Sequence, residues 1–391
     1  MAEVHGSCDP AFDSVRGLLQ QKLADGHEVG ASLCVNIDGR NVLDLWGGYE
    51  DASKTKPWGR DTITGVWSCT KIITSLAAHI LVNRGLLDVN EKVATYWPEF
   101  AANGKEDMKV LHILSHSSGL PAFDGPITAE EMQDVEKSAQ RLAGQASWFV
   151  PGSQTAYQYT NFGLMIGELV RRITGKSLTQ FVSEEISKPL GADFQLGVPE
   201  EDWPRTAEMI PFSPEVMATA FNAVEPTSLV ARAFAGSLMD PTIPNKPVFR
   251  KSENGAMGGF SNARALARIG SIVSLDGSVD GKQYLTPQIL DEMMKEQIRW
   301  DDPCLLGNMR FALGLGLPSS NGIRPTIPEE DSDSDTICFW GGLGRIYGNH
   351  VSRPTDDHRV CHEQNPRHPT LRKCERRRVR SRDLQGFREV Y

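Results

Sequence analysis

Ser68-Cys69-Thr70-Lys71-Ile72-Ile73-Thr74-Ser75-Leu76-Ala77-Ala78-His79-Ile80-Leu81-Val82-Asn83-Arg84-Gly85 is the stretch that decides how this chain is read. Ile72, Ile73, Leu76, Ala77, Ile80 and Leu81 recur at helical spacing and mark a face turned to a core. Asn83-Arg84-Gly85 supplies the stop. Ser68 and Lys71 stand three residues apart where that helix begins, so they share a face. A buried lysine gives up its charge readily and can act as base to a serine nucleophile. The bland alternative, an N-cap serine and a solvated first-turn lysine, means that the motif needs company. Ser53-Lys54-Thr55-Lys56 has the same spacing, but it lies in a polar stretch closed by Pro57 and Gly59 and reads as an exposed loop.

The 391 residues, 40% hydrophobic and 23% charged, suit a soluble globular protein with a large core. No apolar run approaches the roughly 20 residues needed to cross a bilayer. Met1 to Pro10 lacks the charged start and apolar block of a secretory signal, so a cytoplasmic enzyme is expected, with no membrane partner. Seven cysteines without a C-x-x-C pair argue against a disulfide framework or a zinc knuckle. Cys69 reads as a buried spectator thiol. Neither H-E-x-x-H nor G-x-x-x-x-G-K-[ST] occurs, so no metal and no nucleotide cofactor is expected. Net charge is −9, yet Arg345 to Tyr391 carries 12 basic and 6 acidic residues, which leaves the rest at −15. Composition therefore changes abruptly after Gly344.

Along the chain, Asp9 to Ala24 reads as a helix. Leu33 to Ile37 and Val42 to Trp46 form a hairpin around Asp38-Gly39. Leu111 to Leu114 ends a helix that enters a tight loop. Leu164–Thr174 and Leu178–Ile186 follow as helices separated by Gly175, then Ala263–Leu275 and Pro287–Glu296. Phe311–Leu317 and Ile337–Trp340 are late strands, and the acidic run Glu329 to Asp335 is a solvated loop between them. Strands at both ends around a helical middle imply an α+β fold, an antiparallel sheet whose terminal segments pair.

Further motifs occur in order. Leu114-Ser115-His116-Ser117-Ser118-Gly119-Leu120 precedes Trp148-Phe149-Val150-Pro151-Gly152, then Tyr157-Gln158-Tyr159-Thr160-Asn161-Phe162-Gly163, Pro189-Leu190-Gly191-Ala192 and Trp340-Gly341-Gly342. With Ser68 and Lys71, this order resembles the penicillin-recognising serine hydrolases, in the esterase-like branch that is similar to class C β-lactamases. The likeness covers roughly Phe12 to Arg345. It implies a β-lactamase/transpeptidase-like α/β sandwich over 1–345, with an all-helical insertion at roughly 90–250. Members carry a tyrosine motif about ninety residues after the serine and a glycine six positions beyond it. Tyr157 stands 89 residues after Ser68 and six before Gly163, so Tyr157 takes that role, although Tyr159-Thr160-Asn161 is the literal Y-x-N. Tyr159 then stands where the family usually has Asn. Tyr159 and Asn161 are the expected substrate contacts of that segment. His116 reads as a structural loop histidine, because no G-x-S-x-G elbow occurs.

Trp340-Gly341-Gly342 takes the place of the family's K-T-G triplet on a strand bordering the site. The resemblance implies oxyanion N–H groups from Ser68 and from the residue after the triplet, Leu343. Such donors contribute about 3–4 kcal/mol each. Tryptophan in place of lysine removes the cation that would hold a β-lactam or peptide carboxylate. The expectation is therefore a serine esterase or transesterase acting on a small-molecule ester or thioester through an acyl-serine, without cofactor or nucleic acid. The branch includes fungal enzymes of secondary metabolism that move polyketide acyl groups from thioester to alcohol, which admits an acyl-carrier donor. A β-lactamase or peptidase is the alternative of the same class. An inert homologue with a binding role is the alternative of another. It is motivated by residues 346–391, a basic, Pro- and Arg-rich tail with no alternating apolar pattern where the family has two more strands and a closing helix.

Overall fold

The computed structural model describes residues 3–211, 225, 227–238, 240–322, 331–342 and 350–352. Leu343 and nearly all of the basic tail lie outside the described residues.

Asp38 and Gly39 turn the chain between β2 (Gly30–Ile37) and β3 (Arg40–Gly48). Both adopt the left-handed region, with φ of 52° and 79°. That is the geometry in which a two-residue turn matches the right-handed twist of its strands. The expected hairpin is present, paired from Gly30↔Gly48 to Ile37↔Arg40. A strand that the sequence reading did not anticipate, β1 (Val4–Cys8), adds to the other edge of β3. Its sequence, Val-His-Gly-Ser-Cys, has no apolar alternation and buries none of its residues fully, so nothing in it signalled a strand. Helix α1 (Asp13–Ala24) lays Val15, Leu19 and Leu23 against Leu43 and Leu45 of β3.

A small second sheet joins β4 (Thr64–Gly65), β5 (Gln195–Leu196) and β6 (Gly259–Ser261), with β6 in the centre. Helix α2 (Thr70–Asn83) starts five residues beyond β4 and is buried from Thr70 to Leu81. Ile73, Leu76, Ala77 and Leu81 have no exposed surface. Each such aliphatic side chain larger than alanine contributes about 1.5–3 kcal/mol by leaving water. The central core also takes α3 (Val135–Gly144), α4 (Asn161–Thr174) and α5 (Ala263–Ser274). Gly175, at φ 73°, ends α4 as expected.

After the ribbon of β7 (Ser278–Val279) and β8 (Lys282–Gln283) comes the third sheet. It comprises β9 (Ile298–Asp302), β10 (Gly307–Phe311), β11 (Gly316–Leu317), β12 (Ile337–Phe339) and β13 (His350–Ser352), all antiparallel in that spatial order. Phe311–Leu317, expected as one strand, is instead a hairpin turn flanked by two strands. Gly314 takes φ 77°, and Ala312 N donates to Leu315 O at 2.9 Å. Every residue of that run is buried, so uniform apolarity concealed the reversal.

Two further expectations are corrected. The terminal strands do not share one sheet among the described residues; they form separate sheets, and α5 packs against β2, β3 and β13 alike. A strand also exists beyond the Trp-Gly-Gly triplet, because His350–Ser352 pairs in register with Ile337–Phe339. Backbone pairing needs no apolar alternation, which is why composition alone hid it. Among the described residues, no helix is long and apolar enough to cross a membrane.

Candidate active site

Ser68 occupies a tight helical turn, Trp67–Cys69, that leads into α2. Trp67 holds φ at 47°, a left-handed conformation that costs a non-glycine residue about 1–2 kcal/mol. Its buried indole meets Phe249 at a tilt, with ring centroids 5.8 Å apart. Its carbonyl accepts from Thr70 Oγ1, which in turn accepts from Gly259 N of β6 at 3.0 Å. Val66 N donates to Gly259 O at 2.8 Å. The turn is thus stitched to β6, and Ser68 is left half-buried at its apex.

Lys71 has no exposed surface. Its Nζ lies 3.2 Å from Ser68 Oγ, 3.0 Å from Tyr159 O and 3.0 Å from Ala256 O. A neutral amine has two N–H groups and one lone pair. The two carbonyls take both N–H groups, which leaves the lone pair for the serine hydroxyl. Burial holds the lysine well below its ordinary range. No ion pair to Lys71 exists among the described residues. Gly163 explains how the second carbonyl gets so near, because a Cβ there would sit 2.0 Å from Ala256 N. The glycine lets α4 touch the Gly255-Ala256 backbone, and that backbone holds the lysine.

Tyr157 is buried, with its hydroxyl directed toward Ser68 and Trp340. Its ring lies 4.7 Å from Lys71 Nζ. Burial raises the phenol above its ordinary value, and the neighbouring Ser68 and Trp340 side chains oppose that rise. Tyr159 is placed differently. Its hydroxyl donates to Cys304 O at 2.7 Å, and its ring meets Tyr157 edge-on at 5.2 Å and Phe234 at 5.6 Å. Of the two tyrosines, Tyr157 is the one brought to the serine.

Two of the remaining expected positions differ from their sequence reading. Trp340 is buried rather than open to a substrate; its ring lies 5.9 Å from that of Tyr157 and stacks on His116 at 5.4 Å. Asn161 is fully buried at the start of α4. Its Nδ2 donates to Leu120 O at 3.3 Å and its Oδ1 accepts from Thr160 Oγ1 at 3.2 Å, so an internal contact replaces the expected substrate contact. The inward face of a helix start imposes this. Leu343 lies outside the described residues, while Gly341 is exposed and Gly342 half-buried beside it. Ser53 is exposed and bonded to Asp51, in the loop the sequence implied.

His116 is structural. It takes φ 57°, its Nδ1 accepts from Gln158 N at 3.1 Å, and its ring sits among Tyr157, Phe162, Phe311 and Trp340. Burial holds it well below its ordinary value, and any proton on Lys71 pushes the same way, so it is a neutral wedge behind the phenol.

A serine–lysine–tyrosine cluster at the head of a core helix, with Trp-Gly-Gly directly after a strand of the third sheet, has an established family. The family model called Beta-lactamase matches residues 15–355. The chain belongs to that family of serine hydrolases. Among curated relatives, "Esterase/beta-lactamase LipL" of Mycobacterium tuberculosis is 32% identical over 334 residues, covering 81% of this chain and 76% of that protein. A solved family VIII carboxylesterase superposes with a TM-score of 0.76 at 30% identity, covering 90% of this chain and 93% of the other. A penicillin-binding protein homologue from Caulobacter crescentus gives 0.74 at 27%, covering 90% and 94%.

Sequence reasoning missed the carbonyl of Ala256, the left-handed Trp67 and the carboxylate of Asp302. The first two are backbone features without a side-chain signature. Asp302 sits in an otherwise exposed strand end and carries no motif.

Proposed function

We propose that the chain is a carboxylic-ester hydrolase that works through an acyl-Ser68 intermediate. The observation that carries this reading is the Lys71 amine. It is buried without a counter-charge among the described residues, with both N–H groups engaged and the serine hydroxyl 3.2 Å away. Lys71 takes the Ser68 proton as Oγ attacks the ester carbonyl carbon. The oxyanion forms on backbone N–H groups, for which Ser68 and Leu343 are the proposed donors. Collapse expels the alcohol, which receives its proton through Tyr157. Water then adds to the acyl-serine, loses its proton to the same relay, and Oγ leaves protonated.

Trp340 supports an ester over a β-lactam, because tryptophan at this place offers a substrate carboxylate no cation. The names of LipL and of the family VIII carboxylesterase support the same class. An alcohol in place of water in the second step would give acyl transfer, and a thioester in place of the ester would admit a carrier-bound donor. Purified full-length chain should hydrolyse p-nitrophenyl butyrate with a kcat/KM at least about 100-fold above that for nitrocefin, about 3 kcal/mol of discrimination. The reverse ranking would replace the esterase reading with a lactamase one. Added butanol separates transfer from hydrolysis by the butyl ester formed.

A further inference from the structure

Asp302 ends β9, is almost fully buried and takes no part in the chemistry above. Its Oδ1 accepts from three backbone N–H groups, those of Tyr157 at 3.3 Å, Cys304 at 2.9 Å and Leu305 at 3.0 Å. Its other oxygen, Oδ2, is buried without a hydrogen-bond partner among the described residues, as is the Thr155 hydroxyl. Burying a carboxyl is costly, and a loop that only needed closing could be closed with a smaller polar group. What the carboxyl reaches is therefore informative. Two of its partners belong to its own hairpin tip, and the third is the backbone of the tyrosine whose hydroxyl meets Ser68.

The same tip holds the tyrosine segment a second time. Cys304 O accepts the Tyr159 hydroxyl at 2.7 Å. The segment is thus gripped at Tyr157 N and at Tyr159 Oη, and the Tyr159 carbonyl that holds Lys71 belongs to the same stretch. A small displacement of this segment would move the phenol off the serine and the carbonyl off the amine together.

We propose that Asp302 is a positioning residue for acylation, fixing the Tyr157–Tyr159 backbone so that the phenol stays on Ser68 and the Tyr159 carbonyl stays on Lys71. The proposal rests on the ester-hydrolase reading. It acts on the transition state rather than on substrate affinity, so its signature is a split between kcat and KM.

Full-length wild type, Asp302→Asn, Asp302→Ala and Tyr159→Phe are compared by thermal melting and by p-nitrophenyl butyrate kinetics. Asp302→Ala should lower kcat about 100-fold with KM within about twofold, as expected for misplacement of the order of an ångström. Asp302→Asn keeps an oxygen acceptor and should recover at least about tenfold of that loss. Tyr159→Phe, which releases only the second grip, should lower kcat about tenfold with a melting point within a few degrees of wild type. It stands in for Asp302→Ala if that variant does not fold. Retention of kcat within about threefold in both Asp302 variants, or in the Tyr159 variant alone where Asp302→Ala is unfolded, would overturn the proposal. So would a rise in KM that accounts for the whole loss. If wild type turns over no ester, the hydrolase reading fails separately. The rate at which a fluorophosphonate labels Ser68 in the same variants then still tests the positioning, with the same ranking expected and equal rates overturning it.

Discussion

Lys71 is the residue on which the chemistry turns, and its burial has two measurable consequences. Burial favours the neutral amine, so the folded protein binds fewer protons here than the unfolded chain does, and stability contributed at this position rises with pH. The sign for activity is the same. The acid limb of kcat/KM should rise with pH through a midpoint well below the ordinary 10.5 of a lysine, as the amine loses its proton. Lys71→Met should lower ester turnover by about 1,000-fold or more, and it should remove this position's contribution to the rise of melting temperature with pH. A melting temperature whose pH dependence is the same in wild type and Lys71→Met would contradict the burial argument. Trp340→Phe removes the N–H that faces the Tyr157 hydroxyl and should lower kcat about tenfold with little change in KM, checked by steady-state kinetics. A KM effect would instead place the indole on the substrate.

At the level of elements, the site depends on how closely α4 approaches the Gly255-Ala256 backbone. Gly163→Ala puts a methyl 2.0 Å from Ala256 N, a clash with backbone that must move one partner. It should destabilise the fold by about 1–3 kcal/mol and reduce Ser68 labelling by more than that loss alone explains, since Ala256 O holds Lys71. Equal labelling per folded molecule would show that the two are uncoupled. This dependence also shows which parts of the structure the sequence could disclose. The α2 helix, the β2–β3 hairpin and the Ser68–Lys71 pair were legible because each follows from side-chain periodicity or a turn dipeptide. The choice of Tyr157 over Tyr159 comes from spacing; the structure lays the Tyr157 ring 4.7 Å from Lys71 Nζ and turns the Tyr159 hydroxyl to Cys304 O. Trp340 and Asn161 were read as open to substrate because a motif names residues without saying which way they face. The Phe311–Leu317 reversal and the carbonyls around Lys71 left no trace, because a buried turn and a backbone oxygen do not alter composition.

For the whole molecule, the open question is the junction between the two larger sheets. Among the described residues β2 pairs only with β3, and β13 only with β12, while α5 packs against both. Every residue of β2 is only half-buried, although Leu33, Val35 and Ile37 pack on the N-terminal core. A strand with one partner leaves alternate N–H groups to solvent and offers a template for another chain. Hydrogen exchange should therefore find the β2 amides that do not face β3 exchanging at least about 100-fold faster than those of β3. Uniform protection would mean that a further strand covers this edge.

The most direct test of the central claim is intact-mass and peptide mapping of the fluorophosphonate adduct as a function of pH, on wild type, Ser68→Ala, Ser53→Ala and Lys71→Met. The account predicts one adduct on the Ser68 peptide in wild type and Ser53→Ala, formed faster as pH rises through a midpoint well below 10.5, and none in Ser68→Ala or Lys71→Met. An adduct elsewhere, or labelling of Ser68 that survives in Lys71→Met with an unchanged pH profile, would contradict it.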